Sequence, residues 1–436
     1  MAPSTIGAIG VLALFTMLFF RVPVWIALTL VGFIGNSIMS GVTPTFALAG
    51  TVPFDVGSAY TLSVLPLFIL MGEVASVTGL SSDLFKAARV ILAGARGGLA
   101  VGAIAASACF GAVCGSSVAT AATMTRIALP EMRAAGYHPS LAAGSLAAGG
   151  SIGILVPPSI ILVIYAAIAE QSVPRLFAAC LIPGLLLTAF YMTVAVLFAN
   201  LRKDYAPMSK GVSLRERVSA MKGPWQFLAV FLVTIGGIYA GIFSPTEAGS
   251  IGAFSAILLG VAARRLTLAG LLRSIENTVA VCGMLFVIVF GANLFSFFIV
   301  QTQLPVLLAN GAQELHLSGL MVMVMIIIAY ILFGCFLEAI GMLLITIPVF
   351  LPLVKQFGYD PVWFGIVFVI VVEVGLIHPP MGLNLFVIQA HAPDMKLTSI
   401  YGGIVPFLFA PLLLIVLMFL FPQLALWLPR VLYGAG

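Results

Sequence analysis

Apolar runs of membrane-spanning length recur along almost the whole chain, bounded only by proline, glycine or an isolated charge. They fall at 5–20, 24–40, 60–80, 139–170, 176–200, 225–243, 247–263, 277–300, 361–391 and 403–428. About 20 apolar residues cross a bilayer once, so this pattern predicts an all-α polytopic membrane protein. Composition agrees: 62% of 436 residues are apolar, enough for roughly a dozen crossings. Only 8% are charged, against about 25% in a soluble domain, which excludes a water-exposed globular enzyme.

Two further runs, 98–130 and 318–355, are too long for one span and are interrupted near the middle. Gly115, Ser116 and Ser117 interrupt the first; Gly334, Glu338 and Gly341 interrupt the second. Both fit re-entrant helical hairpins, which are tolerated only where protein or a cavity satisfies the exposed backbone. Stretches 42–58 and 264–276 flank the hairpin halves and read either as interfacial segments or as ordinary loops.

Charge distribution sets an expected orientation. The polar loop 202–223 holds Arg202, Lys203, Lys210, Arg215, Arg217 and Lys222 against Asp204 and Glu216, and the positive-inside tendency places it in the cytoplasm. Threading outward from there puts sixteen of nineteen basic residues on the cytoplasmic side, leaving Arg175, Lys355 and Arg430 opposite and both termini outside the cytoplasm. The first run lacks a basic leader and is followed by Arg21, so it reads as a retained span rather than a signal peptide. Nothing supports nucleic-acid binding. Cys109, Cys114, Cys180, Cys282 and Cys335 have no metal-type spacing and read as small buried hydrophobes.

An internal repeat divides the chain into 1–222 and 223–436. A shift of 222 residues aligns 129–159 with 351–381 and matches Leu129, Pro130, Gly136, Tyr137, Pro139, Gly153, Pro157 and Pro158 with Leu351, Pro352, Gly358, Tyr359, Pro361, Gly375, Pro379 and Pro380. Five spans separate the two hairpins under this reading. An odd number turns the second copy upside down, as in the inverted-topology repeats of secondary transporters.

Each copy carries a proline pair inside a span: Gly153–Pro158 in 139–170 and Gly375–Pro380 in 361–391. Two adjacent prolines remove two amide donors and clash with the preceding turn, so each helix must break there. The freed carbonyls can hold a small hard cation such as Na⁺, and the opposing half-helix N-terminus favours an anion; the alternative is a kink without a ligand. The first hairpin tip adds Ser116, Ser117, Thr120, Thr123 and Thr125, which either offer oxygen ligands or bond back to their own helix. At the second tip Glu338 is a carboxylate in an apolar run, hence a functional candidate, unless the tip lies in water. Glu373 and Glu73 are further candidates. His378, at the position of Val156, either contacts an anion or packs by hydrogen bonding. Arg126 serves as an anion clamp or snorkels to the interface. No lysine is followed by Ser or Thr, so there is no Walker A loop, and no HExxH sequence occurs.

The GSSVATAAT tip followed by LPEM and GYHP, then GGSIGILVPPS, the SPTEAG turn at 244–249, and GLIHPPMGLNLFVI resemble the large membrane subunit of tripartite ATP-independent periplasmic (TRAP) transporters. The resemblance runs over essentially the whole chain. It implies an elevator-type importer of organic acids in the bacterial inner membrane, with Na⁺ as the coupling ion. A separate small four-helix membrane subunit and a periplasmic substrate-binding protein would complete the system. By motif, one Na⁺ site would use Ser116 or Ser117 with oxygens around Gly153, Val156 and Pro158. A second would use Gly334, Gly375, His378 and Met381; His378 stands where some members carry Thr. The substrate anion is expected near Ser116, Thr120, Glu338, His378 and Asn384, with both hairpins and both broken helices forming a moving block against a scaffold of the remaining spans. A stand-alone organic-anion exchanger of the same superfamily and a channel with static hairpins are the rival readings.

Overall fold

A computed structural model describes residues 2–208, 211–334 and 337–434. The readings placed on Lys210 and Cys335 lie outside the described residues. The described residues form helices and turns with no strand. The first half contains Pro3–Phe19 (α1), Val24–Ser40 (α2), Val42–Ser58 (α3), Val64–Val77 (α4), Leu80–Ile91 (α5), Gly98–Cys114 (α6), Ser117–Ala134 (α7), Pro139–Ser151 (α8), Ile160–Ala169 (α9), Val173–Leu201 (α10) and Leu214–Ala220 (α11). The second contains Trp225–Phe231 (α12), Gly237–Tyr239 (α13), Pro245–Ala262 (α14), Leu268–Gln301 (α15), Leu304–Glu314 (α16), Gly319–Gly334 (α17), Ala339–Gln356 (α18), Pro361–Ile377 (α19), Leu383–His391 (α20), Leu397–Leu420 (α21) and Gln423–Tyr433 (α22).

The interruptions fall where the polar and proline residues require them. Gly115, at φ +65°, ends α6, and Ser116 starts α7 by accepting from the Ala119 amide. At each expected hairpin the two flanking helices pack on one another, α6 on α7 and α17 on α18. Run 139–170 is divided between α8 and α9, and run 361–391 between α19 and α20, at the two Pro-Pro sequences.

Among the described residues six helices are long and apolar enough to cross a membrane, or seven if the bent segment 214–239 counts as one span. Six more apolar helices among the described residues are 10–17 residues long: α1, α2, α6, α9, α17 and α19. The ten single spans and dozen crossings expected from apolar content therefore exceed the uninterrupted long helices, partly because proline and glycine divide the broken runs into shorter pieces and partly because α1 and α2, at 17 residues each, sit at the lower limit of spanning length. Two boundaries also change, while 42–58 keeps its expected bounds. Segment 264–276 is mostly the start of α15, which begins nine residues before the expected span because Thr267 caps it, its hydroxyl accepting from the Gly270 amide at 3.1 Å. Segment 42–58 is a separate helix, set off from α2 by Gly41 at φ +92°. The last span stops at Leu420 rather than 428, where Pro422 lets the chain restart as α22.

The helices group by packing. The crossing of α2 with α15, joined by α4 and α14, forms one assembly; the buried Asn36 amide fixes it by donating to Leu294 O at 2.8 Å. The breaks lie in a second assembly of α6–α9 and α17–α20. Two long spans expected in the scaffold pack directly on these helices: α21 on α8 and α19, and α10 on α6 and α19. Small residues explain the first contact, since a Cβ on Gly144 would fall 2.3 Å from Gly403 O. Tyr165 on α9 donates to Pro361 O at 2.6 Å, tying the end of the first broken helix to the start of the second.

Candidate functional site

Between the hairpin tips lies a cavity of about 450 Å³, walled by Ser116, Ser117 and Val118 of the first tip, Glu338 and Ala339 of the second, Ile154 and Leu376 of the two breaks, and Glu73 and Leu285 from the neighbouring assembly. Its lining is largely apolar, with a few polar groups converging at the tips, as expected for a small-molecule site. Glu73 is held from the side by Asn277, whose amide donates to Oε2 at 3.0 Å.

The first tip and first break meet through backbone. A Cβ on Gly111 would come within 2.6 Å of Gly153 Cα, so only glycine permits the crossing. Gly153 in turn faces the tip: a Cβ there would lie 2.8 Å from Thr120 Oγ1 and 2.9 Å from Ser116 O. Gly115 is equally close to Pro158 O, at 2.8 Å by the same measure. Ser116, Thr120, Gly153 and Pro158 therefore share one small volume in which oxygens predominate. The whole break from Gly153 to Ser159 is buried. Among the described residues no donor reaches the carbonyls of Val156 or Pro158, although buried carbonyls almost always find a partner. Carbonyl and hydroxyl oxygens in unwound helix are a donor set that fits Na⁺.

The second crossing repeats the first in outline. A Cβ on Gly334 would fall 2.8 Å from Gly375 Cα. Beyond it the second break opens outward: His378 and Pro379 are half-buried, and Pro380 and Met381 are exposed. His378 O accepts from the Gly382 amide at 2.9 Å, and Pro380 O from the Tyr401 hydroxyl at 2.6 Å.

The expected substrate residues separate into two groups. Ser116 and Glu338 share the cavity wall. Thr120 lies behind it, fully buried, its hydroxyl donating to Ser116 O at 2.7 Å; Thr125 likewise bonds back, to Ala121 O at 2.6 Å. His378 and Asn384 are not on the wall. Asn384 is fully buried in α20, with neither amide atom partnered among the described residues. Glu373 is fully buried with both carboxyl oxygens unpartnered in the same sense, in the region where α10 brings Tyr191, whose hydroxyl lies 3.2 Å from Ser151 Oγ. Arg126 is exposed. Of the described cysteines, Cys180 and Cys282 are buried, while Cys109 and Cys114 are half-buried and Cys114 touches the cavity.

Sequence reasoning passed over Ser159, Tyr401 and Asn277. Ser159 caps α9, accepting from Leu162 N, and donates to Ile154 O, bracing the first break. Its signal was local: a hydroxyl residue directly after Pro-Pro and before an apolar helix is an N-cap position. Tyr401 and Asn277 act across the fold and left no local signal.

Among the described residues, an all-helical bundle with interrupted helices around a tip-lined cavity has the architecture of a membrane transporter. The chain belongs to the family of the tripartite ATP-independent periplasmic transporter, DctM component, whose family model matches residues 11–424. It is 36% identical over 379 residues to a C4-dicarboxylate TRAP transporter large permease of Pseudomonas aeruginosa, covering 86% of this chain and 88% of that one. It is 32% identical over 378 residues to a sialic acid TRAP transporter large permease of Vibrio cholerae, with the same coverage of 86% and 88%. The fold is similar to that of the Alcanivorax borkumensis YdaH transporter, at 16% identity and a TM-score of 0.61 over 89% of this chain and 90% of the other.

Proposed function

We propose that this large permease imports an organic acid by Na⁺-coupled secondary transport across the bacterial inner membrane. The observation that carries the reading is the convergence of Ser116, Gly153 and Pro158 beside a cavity whose far wall holds Glu338. The first Na⁺ would be held by oxygens of Ser116 or Ser117 with those around Gly153, Val156 and Pro158. The second would use the region of Gly334, Gly375, His378 and Met381. The carboxylate would enter the cavity at Ser116, with Thr120 and Asn384 supporting the wall from behind and Glu338 and His378 at its second-half side.

Relatives named for C4-dicarboxylate and sialic acid transport support a carboxylate substrate. A small membrane subunit and a periplasmic binding protein would be supplied as separate chains; a related sialic acid TRAP permease of Haemophilus influenzae, of whose length this chain covers only 60%, supports such an assembly. The two glycine crossings and the matched breaks support an inverted repeat of 1–222 and 223–436. The Tyr165–Pro361 contact supports their moving as one elevator block, with both termini periplasmic. Each 100 mV contributes about 2.3 kcal/mol per elementary charge, so two Na⁺ ions would supply roughly 4–5 kcal/mol, offset in part by the anion's charge.

Uptake of labelled acid into proteoliposomes tests the reading. It is expected to require external Na⁺ and the cognate binding protein. Full uptake of free substrate without that protein would instead favour the stand-alone exchanger, and non-saturating flux without ion coupling would establish a channel.

A further inference from the structure

At the end of the second hairpin, away from the tips, an open cleft of about 810 Å³ lies where the last turns of α18 and α22 approach the start of α19 and the end of α21. Lys355 and Arg430 both line it, and both are exposed. The ion pairs found among the described residues are Arg89–Glu131, Arg133–Asp394 and Arg265–Asp83, so neither cleft cation is paired. The acidic residue in the cleft, Asp360, is occupied in capping α19: its Oδ1 accepts from Val362 N at 2.7 Å and Trp363 N at 3.4 Å. With Asp360 counted, the cleft retains a net positive charge.

Its floor is aromatic. Tyr359 stacks on Trp363 at 5.2 Å between ring centroids, Phe419 meets Trp363 edge-on at 5.0 Å, and the Trp363 indole donates to Met418 O at 3.1 Å. Tyrosine and tryptophan beside Lys and Arg at helix ends mark the level of a membrane interface. From this level two apolar faces lead along the helices: Leu320, Val324 and Ile328 on α17, and Leu413, Val416 and Leu420 on α21, all exposed.

We propose that this cleft binds the phosphate headgroup of an anionic membrane phospholipid, with its acyl chains laid along the exposed faces of α17 and α21. The cations match the phosphate, and the apolar faces match the chains. A water-soluble acidic partner would match only the former, since the apolar faces continue along apolar helices, α17 and the long span α21. The molecule contains its own comparison. At the matching repeat position, Arg133 and Lys396 line a smaller cleft of about 270 Å³ with Asp394; its net charge is the same, but Arg133 is held in an ion pair with Asp394 at 3.0 Å, so one cation there is already engaged. This site is separate from the transport cavity and does not depend on the proposed substrate or coupling ion.

The test is native mass spectrometry of the full-length chain titrated with phosphatidylglycerol or phosphatidylcholine, alongside the variants Lys355→Gln, Arg430→Gln and both together. The double variant is expected to weaken phosphatidylglycerol binding by about tenfold to thirtyfold, the effect of two interfacial charges, and to leave phosphatidylcholine unchanged. Arg133→Gln should stay within about twofold. Because both cleft cations are exposed, an unchanged melting temperature should accompany the loss. Three results would overturn the proposal: unaltered phosphatidylglycerol binding in a folded double variant, equal weakening of both lipids, or displacement of the lipid by millimolar inorganic phosphate, which would indicate a free-anion site.

Discussion

The two proline breaks share a sequence pattern and differ in what their oxygens do. The first is buried throughout, braced from within by Ser159, and leaves the carbonyls of Val156 and Pro158 free of described donors. The second opens to the surface, and Gly382 and Tyr401 already occupy its His378 and Pro380 carbonyls. Since a carbonyl engaged by a strong donor is a poorer ligand for a cation, the first break is the better prepared of the two. The tips differ in the same sense. The first tip turns Ser116 O and the Thr120 hydroxyl toward Gly153, with Ser116 O also accepting from the Thr120 amide and hydroxyl, whereas the second tip places Glu338 on the cavity wall. Matched backbone thus need not mean matched chemistry, and the comparison ranks the two proposed Na⁺ sites.

The largest expected effect separates them by glycine. In Gly153→Ala the new Cβ would press on Ser116 O and Thr120 Oγ1, so Na⁺-dependent uptake should fall by roughly 100-fold, as an overpacking cost of about 1–3 kcal/mol allows. In Gly375→Ala the Cβ meets Gly334 backbone; this should chiefly lower the melting temperature, leaving the Na⁺ half-saturation of the surviving protein near wild type. Equal Na⁺ phenotypes would erase the ranking. Next, Pro157→Ala should raise the Na⁺ half-saturation concentration about tenfold and Pro379→Ala about threefold or less, within the range of one or two lost ligand contacts. Unchanged Na⁺ dependence in Pro157→Ala would count against the first site altogether. Thr120→Val deletes the hydroxyl bonded to Ser116 O and should cost about 1 kcal/mol, near fivefold in Na⁺ affinity; a null result in Na⁺ titrations would show that this bond does not orient the tip. The smallest effect belongs to Tyr401→Phe, which frees Pro380 O. It should leave uptake within about twofold and, if anything, tighten Na⁺ binding; a large loss would mean that Tyr401 holds the break in shape.

Much of this arrangement was legible in the sequence because proline and glycine act locally. Pro157–Pro158 and Pro379–Pro380 announced both breaks, and the Gly115–Ser116 and Gly334 interruptions announced the tips. That Ser116 and Glu338 would face one site was implied by the family resemblance rather than by the repeat, whose matched residues lie beyond the tips. Other features depended on packing that leaves no periodic trace. The extension of α15 to Leu268 rests on one threonine cap in a stretch that hydropathy scores as polar. The placement of α10 and α21 beside the broken helices rests on close approaches such as Gly144 to Gly403, which apolar content alone does not distinguish from a lipid-facing span. Thr120 looked like a ligand by residue type but spends its hydroxyl on its own helix, a choice membrane threonines often make.

The glycine crossings also shape how this chain can vary. Gly111 and Gly153 meet backbone to backbone, as do Gly334 and Gly375. Every amino-acid change open to a glycine codon by a single nucleotide introduces a Cβ. At these four positions the genetic code therefore offers no mild neighbouring substitution, and a saturation library should show them depleted of polar and apolar replacements alike. Ser116 and Glu338 nearby should discriminate by chemistry. That contrast would let a mutational map distinguish where the cavity is held together from where it meets its cargo.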